Sequence, residues 1–167
     1  MKKSEEHTLI NYRSNDPLWA TWSMKEHSED ELRNAILYNP EDVCISYICR
    51  YSTLSEEFIE ELICLSTGVF GHRPDLYTAK NRETLKQIMF IEPTIARTAY
   101  VNDIDLKNVE PEDKAFIKHL KSLSGNIRSK IDWWQIANYQ KLSDDFKKRF
   151  ANKFREARIS EGEFDRA

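Results

Sequence analysis

Between Ile131 and Phe154 the spacing of apolar positions changes halfway, which predicts two helices joined by a tight turn. Ile136 and Tyr139 lie three apart, on one face of a short helix. Leu142-Ser143 follows. Ser143 suits an N-cap, because its hydroxyl accepts from a backbone N–H that the next helix leaves unpaired. Phe146, Phe150 and Phe154 then recur every four residues, on one stripe of a single longer helix that must be buried. Upstream, Ser28 with Glu31 forms a capping box that opens a helix with Leu32, Ala35 and Ile36 inward, and Asn39-Pro40 ends it. Ser55 opens another helix, with Phe58, Ile59, Leu62 and Ile63 inward and a stop at Thr67-Gly68. Further helices are predicted over 82–90, over 94–101 and from Pro111, which fits a first helical position. Residues 15–22 read as an aromatic turn with Trp19 and Trp22 packed on the core. The polar ends, 1–14 and 159–167, are expected to be loose.

The Ile131–Phe150 pattern occurs more than once. Val43–Leu62 matches it at a constant shift of 88 positions, from Leu54-Ser55 to Leu142-Ser143. Ile48 then corresponds to Ile136, Tyr51 to Tyr139, Phe58 to Phe146 and Leu62 to Phe150. A partial third copy is expected directly upstream, carried by Ile117, Leu120, Leu123-Ser124, Ile127 and Ile131. Self-similarity of this kind predicts stacked helix pairs, each too small to bury its own apolar face. The unit resembles the V-D-W-x-x-I-S-x-x-Q-x-L-S-E-x-F-I repeat of many phage and large-virus proteins. The resemblance rests on Val43–Leu62 and Ile131–Phe150, with Leu123–Ile131 as a partial copy. Cys44, Ile45 and Ser52 stand where that repeat has Asp, Trp and Gln. It implies helical architecture and a phage-like origin, and it brings no shared catalytic site.

A chain of 167 residues with 40% hydrophobic and 32% charged side chains can bury a sizeable core, which excludes a disordered chain. With four Gly, five Pro and no Asn-Gly or Asp-Gly hairpin signal, helices are favoured over a turn-rich β fold. There is no apolar run of membrane-spanning length, and Met1–His7 lacks an apolar signal region, so neither insertion nor export is expected. Three cysteines (Cys44, Cys49 and Cys64) in apolar settings predict reduced, buried thiols and a cytoplasmic location. Charge is uneven. Residues 1–66 carry 6 basic and 13 acidic side chains, whereas residues 118–158 carry 11 basic and 4 acidic ones. An acidic and a basic half point to a charged partner or to self-association; opposite charges packed within the chain are the plainer reading.

Candidate chemistry is sparse. His7, His27, His72 and His119 show no zinc-like spacing with each other or with the cysteines, so no metal or cofactor is expected. Glu56-Glu57, Glu60-Glu61 and Asp144-Asp145 lie in first turns or on solvated faces. Gly68-Val-Phe-Gly71 has no phosphate-loop spacing. Residues 68–80 form the longest irregular segment, with His72 and Arg73 as its candidate functional residues. The strongest set is C-terminal: Trp133, Trp134 and Tyr139, followed by Lys147, Lys148, Arg149, Lys153 and Arg155. Basic groups among aromatics suit a phosphate backbone with stacked bases, and equally the anchors of a protein interface. Neighbouring helix positions point about 100° apart. Of the adjacent tryptophans, Trp134 is therefore expected to be the exposed one, because its counterpart is Ser46.

Together these features predict an all-α protein of short helices stacked as degenerate helix–turn–helix units around one core. It is expected to be a single domain over 1–167; if it divides, lobes 15–67 and 81–158 would be joined by loop 68–80. The expected function is non-enzymatic: a phage-type protein that inhibits or redirects a host protein or ribonucleoprotein complex, such as an anti-CRISPR-like inhibitor acting in the host cytoplasm. Two alternatives follow from the same residues. One is a nucleic-acid-binding or transcription regulator using the basic C-terminal helices. The other is a small hydrolase or nuclease centred on His72 and Arg73.

Overall fold

The computed structural model describes residues 17–71, 73–91, 101–123 and 127–160. These form α-helices and short 3-10 turns, and no strand. The helices are α1 (Pro17–Ser23), α2 (Glu29–Tyr38), α3 (Ile45–Tyr51), α4 (Glu56–Leu65) and α5 (Ala79–Ile91). After them come a single α-helical turn at Val101–Asp103 and then α6 (Pro111–Ser122), α7 (Trp133–Tyr139), α8 (Asp144–Arg149) and α9 (Ala151–Ser160). The chain forms two compact units. The first takes the described residues of Met1–Leu32, Glu41–Ile59 and Ile131–Ala167; the second takes those of Arg33–Pro40 and Glu60–Lys130. The segment 68–80 thus lies inside one unit, and α2 and α4 contribute residues to both.

In the first unit the opening helix of each copy agrees at the shift of 88, whereas the second helices differ in length, Glu56–Leu65 against Asp144–Arg149. Ile45–Tyr51 and Trp133–Tyr139 are the same seven-residue helix, with N-caps Cys44 and Asp132 at nearly equal backbone angles (φ −90°, ψ 95° and φ −97°, ψ 94°). Ser55 and Ser143 then cap the following helices, each hydroxyl accepting from the N–H three residues on at 3.1 Å. The third helix pair is α1–α2. Residues 15–22, expected as a turn, include the helix α1, and Trp19 and Trp22 sit on it with rings 5.5 Å apart. Its partner α2 opens with the expected capping box: Ser28 N–H donates to Glu31 Oε1 (2.9 Å) and Glu31 N–H to Ser28 Oγ (3.2 Å).

The three pairs stack, α3 packing on α1 and α7 on α3. Polar links of one kind join each step. Ser52 Oγ accepts from His27 N–H (3.2 Å) and reaches Lys25 O (3.4 Å). At the corresponding place in the next step, Gln140 accepts from Leu54 N–H (2.9 Å) and donates to Cys49 O (2.8 Å) and Ser52 O (2.6 Å). A primary amide, with one acceptor and two donors, satisfies three backbone groups that the short helix and its turn leave unpaired. A carboxylate completes each step: Glu29 Oε2 accepts from Ser55 N–H (2.7 Å), and Glu56 Oε2 from Ser143 N–H (2.5 Å). Both acids are the first residues of capped helices, so they meet the helix dipole of their own pair while binding the cap of the next.

The second unit buries Ile63, Phe70, Leu85, Phe116, Leu120 and Ile127. Phe70 stacks on Phe116 at 5.7 Å. Around Glu61, Arg33 forms a bidentate ion pair (2.5 and 2.9 Å), Tyr77 donates its hydroxyl, and Arg82 lies over the Tyr77 ring at 4.7 Å. Burial works against the Glu61 charge, but the hydrogen bonds and charge of Arg33 and the Tyr77 hydroxyl outweigh it and hold the carboxyl below its usual value. Gly68 turns the chain after α4 with φ 79°.

Two predicted helices depart from expectation: one does not form and one is split. Residues 127–130 form no helix although Ile127 is buried, and Ser66 Oγ takes up Ser129 Oγ (2.8 Å) and Lys130 N–H (3.2 Å). The partial third copy therefore does not complete a helix pair there, and Ser124 lies outside the described residues. The single long helix from Ser143 is two helices, since Phe150 leaves helical geometry (φ −111°, ψ 22°). The helix predicted over 94–101 lies largely outside the described residues.

Gln140→Ala is expected to lower the unfolding free energy by about 1–3 kcal/mol, since it strands buried backbone groups; urea denaturation reads this directly, and a loss under about 0.5 kcal/mol would remove the amide from the account. Because the folded Glu61 pKa is depressed, its stabilising contribution is present above the unfolded value of 4.5 and is lost as the pH falls through the folded one. The difference in melting temperature between wild type and Glu61→Gln should accordingly shrink on acidification from about pH 5 to about pH 2. A difference that is constant over that range contradicts the assignment.

Candidate binding surface

Asp132 sets the start of α7 by accepting from Gln135 N–H at 3.2 Å, and this fixes where the two tryptophans point. Trp133 turns onto α8 and α9. Its ring stacks on Phe150 at 5.4 Å (29°) and meets Phe154 edge-on at 5.4 Å (86°), so the break at Phe150 sets the two phenylalanines at different angles to it. Trp134 leans edge-on against Tyr139 at 6.4 Å. Both tryptophans are half-buried, so the expectation that Trp134 alone is exposed is not met; the Tyr139 ring shields it.

Tyr139 is 47% exposed. The Arg50 guanidinium lies 4.8 Å from its ring centre and 5.1 Å from that of Tyr51. Tyr51 and Tyr139 hold the same place in successive helix pairs, so stacking of the pairs builds an aromatic–cation–aromatic row. Arg50 itself is exposed. It was not among the sequence candidates. Pairing Tyr51 with Tyr139 and then asking what the neighbouring residue does would have found it.

On α8 the side opposite buried Phe146 presents Lys147, Lys148 and Arg149 to solvent. Arg149 lies over the Phe150 ring at 5.2 Å. Lys153 is half-buried, and Arg155 is exposed and donates to Asn152 Oδ1 at 2.9 Å. Trp133, Trp134, Tyr139 and the five cations thus belong to one unit, with Trp133 as packing and Tyr139, Arg50, Lys147 and Lys148 as accessible groups. Arg73 belongs to the second unit, where it pairs with Asp75 at 3.2 Å on the surface. His72 lies outside the described residues.

The nucleophile candidates are muted. Burial pushes the Cys44 thiol up to about 11 and those of Cys49 and Cys64 up to about 12, so all three are protonated at neutral pH. Of the candidate carboxylates, Glu56 holds Ser143, Glu60 pairs with Lys86 at 2.9 Å, and Glu61 holds Arg33 and Tyr77, while Glu57, Asp144 and Asp145 are exposed. Among the described residues no group of three His, Cys, Asp or Glu side chains is placed to hold a metal ion. Nor is any helix there long and apolar enough to cross a membrane. No protein-family model, curated protein or solved structure matches the chain.

The native protein at pH 7 should react with a thiol reagent such as DTNB only as fast as it unfolds, with three equivalents released in denaturant. Fast release of one equivalent from the folded chain would contradict the buried, protonated state. Trp133→Ala should cost about 3 kcal/mol by chemical denaturation, the low end for a packed aromatic, whereas Tyr139→Ala should cost about 1 kcal/mol or less.

Proposed function

We propose that this chain is a non-enzymatic, phage-type binding protein that docks on a host protein or ribonucleoprotein complex and inhibits or redirects it, in the manner of an anti-CRISPR inhibitor of antiviral defence. The observation that carries the binding reading is the Tyr51–Arg50–Tyr139 row, in which Arg50 and Tyr139 are exposed and Tyr51 is half-buried against the core. Rigid aromatics and Arg are the side chains that anchor protein interfaces, because they bury much area while losing few rotamers. Here the rings are already fixed by the stack beneath them, so little ordering is left to do on binding. The engaged carboxylates and protonated thiols favour binding over catalysis. The phage setting and the defence target rest on the likeness of the helical unit to the phage and large-virus repeat.

A second reading draws on the exposed Lys147 and Lys148, which belong to the same unit as the exposed Tyr139. In that reading the basic helices follow a nucleic-acid backbone and act as a regulator.

Affinity capture from the host separates the two. Recovery of a defined protein complex that survives nuclease, and loss of at least tenfold of it in Arg50→Ala/Tyr139→Ala, is the expected result. Proteins that vanish on nuclease treatment, with affinity that falls steeply with salt and is lost in Lys148→Glu, would move the assignment to nucleic acid. Capture of neither ends the binding reading.

A further inference from the structure

Two arginines of the chain lie over tyrosine rings at nearly the same distance. In the second unit Arg82 sits 4.7 Å from the Tyr77 ring centre; in the first, Arg50 sits 4.8 Å from that of Tyr139 and 5.1 Å from that of Tyr51. A ring takes up the flat face of a guanidinium. The N–H groups stay in its plane as a fork that fits the two oxygens of a carboxylate. In the second unit a carboxylate stands with the stacked pair. Glu61 accepts two hydrogen bonds from Arg33 and one from the Tyr77 hydroxyl, and the Arg82 charge helps to keep it ionised.

Around Arg50 the chain supplies the rings but no carboxylate. Arg50 is exposed and, among the described residues, it forms no ion pair and no side-chain hydrogen bond. Arg33 and Arg73 each have a carboxylate, and Arg155 has an amide oxygen. Arg128 is exposed and, among the described residues, has no ring beneath it.

The charge along the row says which anion fits. Residues 45–59 and 131–149, which bear it, hold five basic and five acidic side chains. Glu57, Asp144 and Asp145 are exposed, as are Lys147 and Lys148. A nucleic-acid backbone is held by an excess of cations along its path, and this stretch has none in excess. A single carboxylate asks only for one well-placed fork. It gains most where the guanidinium is already ordered, as the two rings order this one.

We propose that Arg50 receives a side-chain carboxylate of a protein partner, an Asp or Glu bound by two hydrogen bonds from its N–H edge while Tyr51 and Tyr139 hold its face. The proposal rests on the binding reading above and names the group that the row recognises.

NMR titration of the isotope-labelled full chain tests this without the partner. The probe is a blocked tripeptide, acetyl-Ala-Glu-Ala-amide, and its Gln counterpart at equal ionic strength is the control. The Arg50 Nε–H resonance is identified by its loss in Arg50→Lys. It should move with the Glu peptide and saturate with a Kd of about 10 mM or tighter, and it should stay in place with the Gln peptide. The Arg128 Nε–H is the internal reference and should show only the linear drift of an exposed cation. Tyr139→Leu, with the rest of the spectrum unchanged, should weaken the Glu peptide by about threefold or more, because the guanidinium loses one ring. An Arg50 response no larger than that of Arg128 overturns the proposal, even if affinity capture returns a host complex. Inorganic phosphate that saturates Arg50 where the Glu peptide does not overturns it in favour of a nucleic-acid backbone. A saturating response to the Glu peptide supports the carboxylate site whatever the capture returns, so the two tests fail separately.

Discussion

A helix of seven residues leaves more backbone groups unpaired at its ends than it pairs in its middle, and this constraint shapes the first unit. The chain meets it by letting each helix pair finish the one before. Gln140 closes three backbone groups around the α3–α4 turn, and Glu29 and Glu56 hold the N-cap amides of the pair that follows. Short helices that would fray alone become parts of a stack, as in repeat proteins generally. The same links fix the register in which Tyr51 and Tyr139 come to flank Arg50.

The most functional-looking surface is therefore a by-product of the packing rule. Equivalent positions in successive pairs lie side by side, so a residue that recurs makes a row, and a cation between two members is held by both. The residues that remain free to meet a partner are those that the stack points outward: Tyr139, Arg50, Lys147 and Lys148. Trp133, which looks like a binding residue in the sequence, is used as a wedge between Phe150 and Phe154.

Much of this was legible in the sequence because caps and apolar spacing are local. Ser28, Ser55 and Ser143 mark helix starts by their own chemistry, and the shift of 88 names two helices whose bounds agree to the residue. What escaped depends on distant partners. Helix α1 is a member of the stack through the contact Ser23 makes, not through residue types shared with α3 and α7. Glu29 and Glu56 look like ordinary first-turn acids until the next cap is seen beside them. Ile127 and Ile131 have helical apolar spacing, yet between them Ser66 takes the Lys130 N–H and the Ser129 hydroxyl. Arg50 is one exposed cation among many in the sequence and becomes distinctive only between two rings.

The central claim is that amides at the turns are held by the neighbouring pair, and native-state hydrogen exchange measures this most directly. The amides of Leu54, Ser55 and Ser143 have their acceptors on another helix pair (Gln140, Glu29 and Glu56). They should exchange as slowly as amides in the helix interiors, with protection approaching that of global unfolding. Exchange of these three at the rates of open loops, while helix interiors stay protected, would contradict the account.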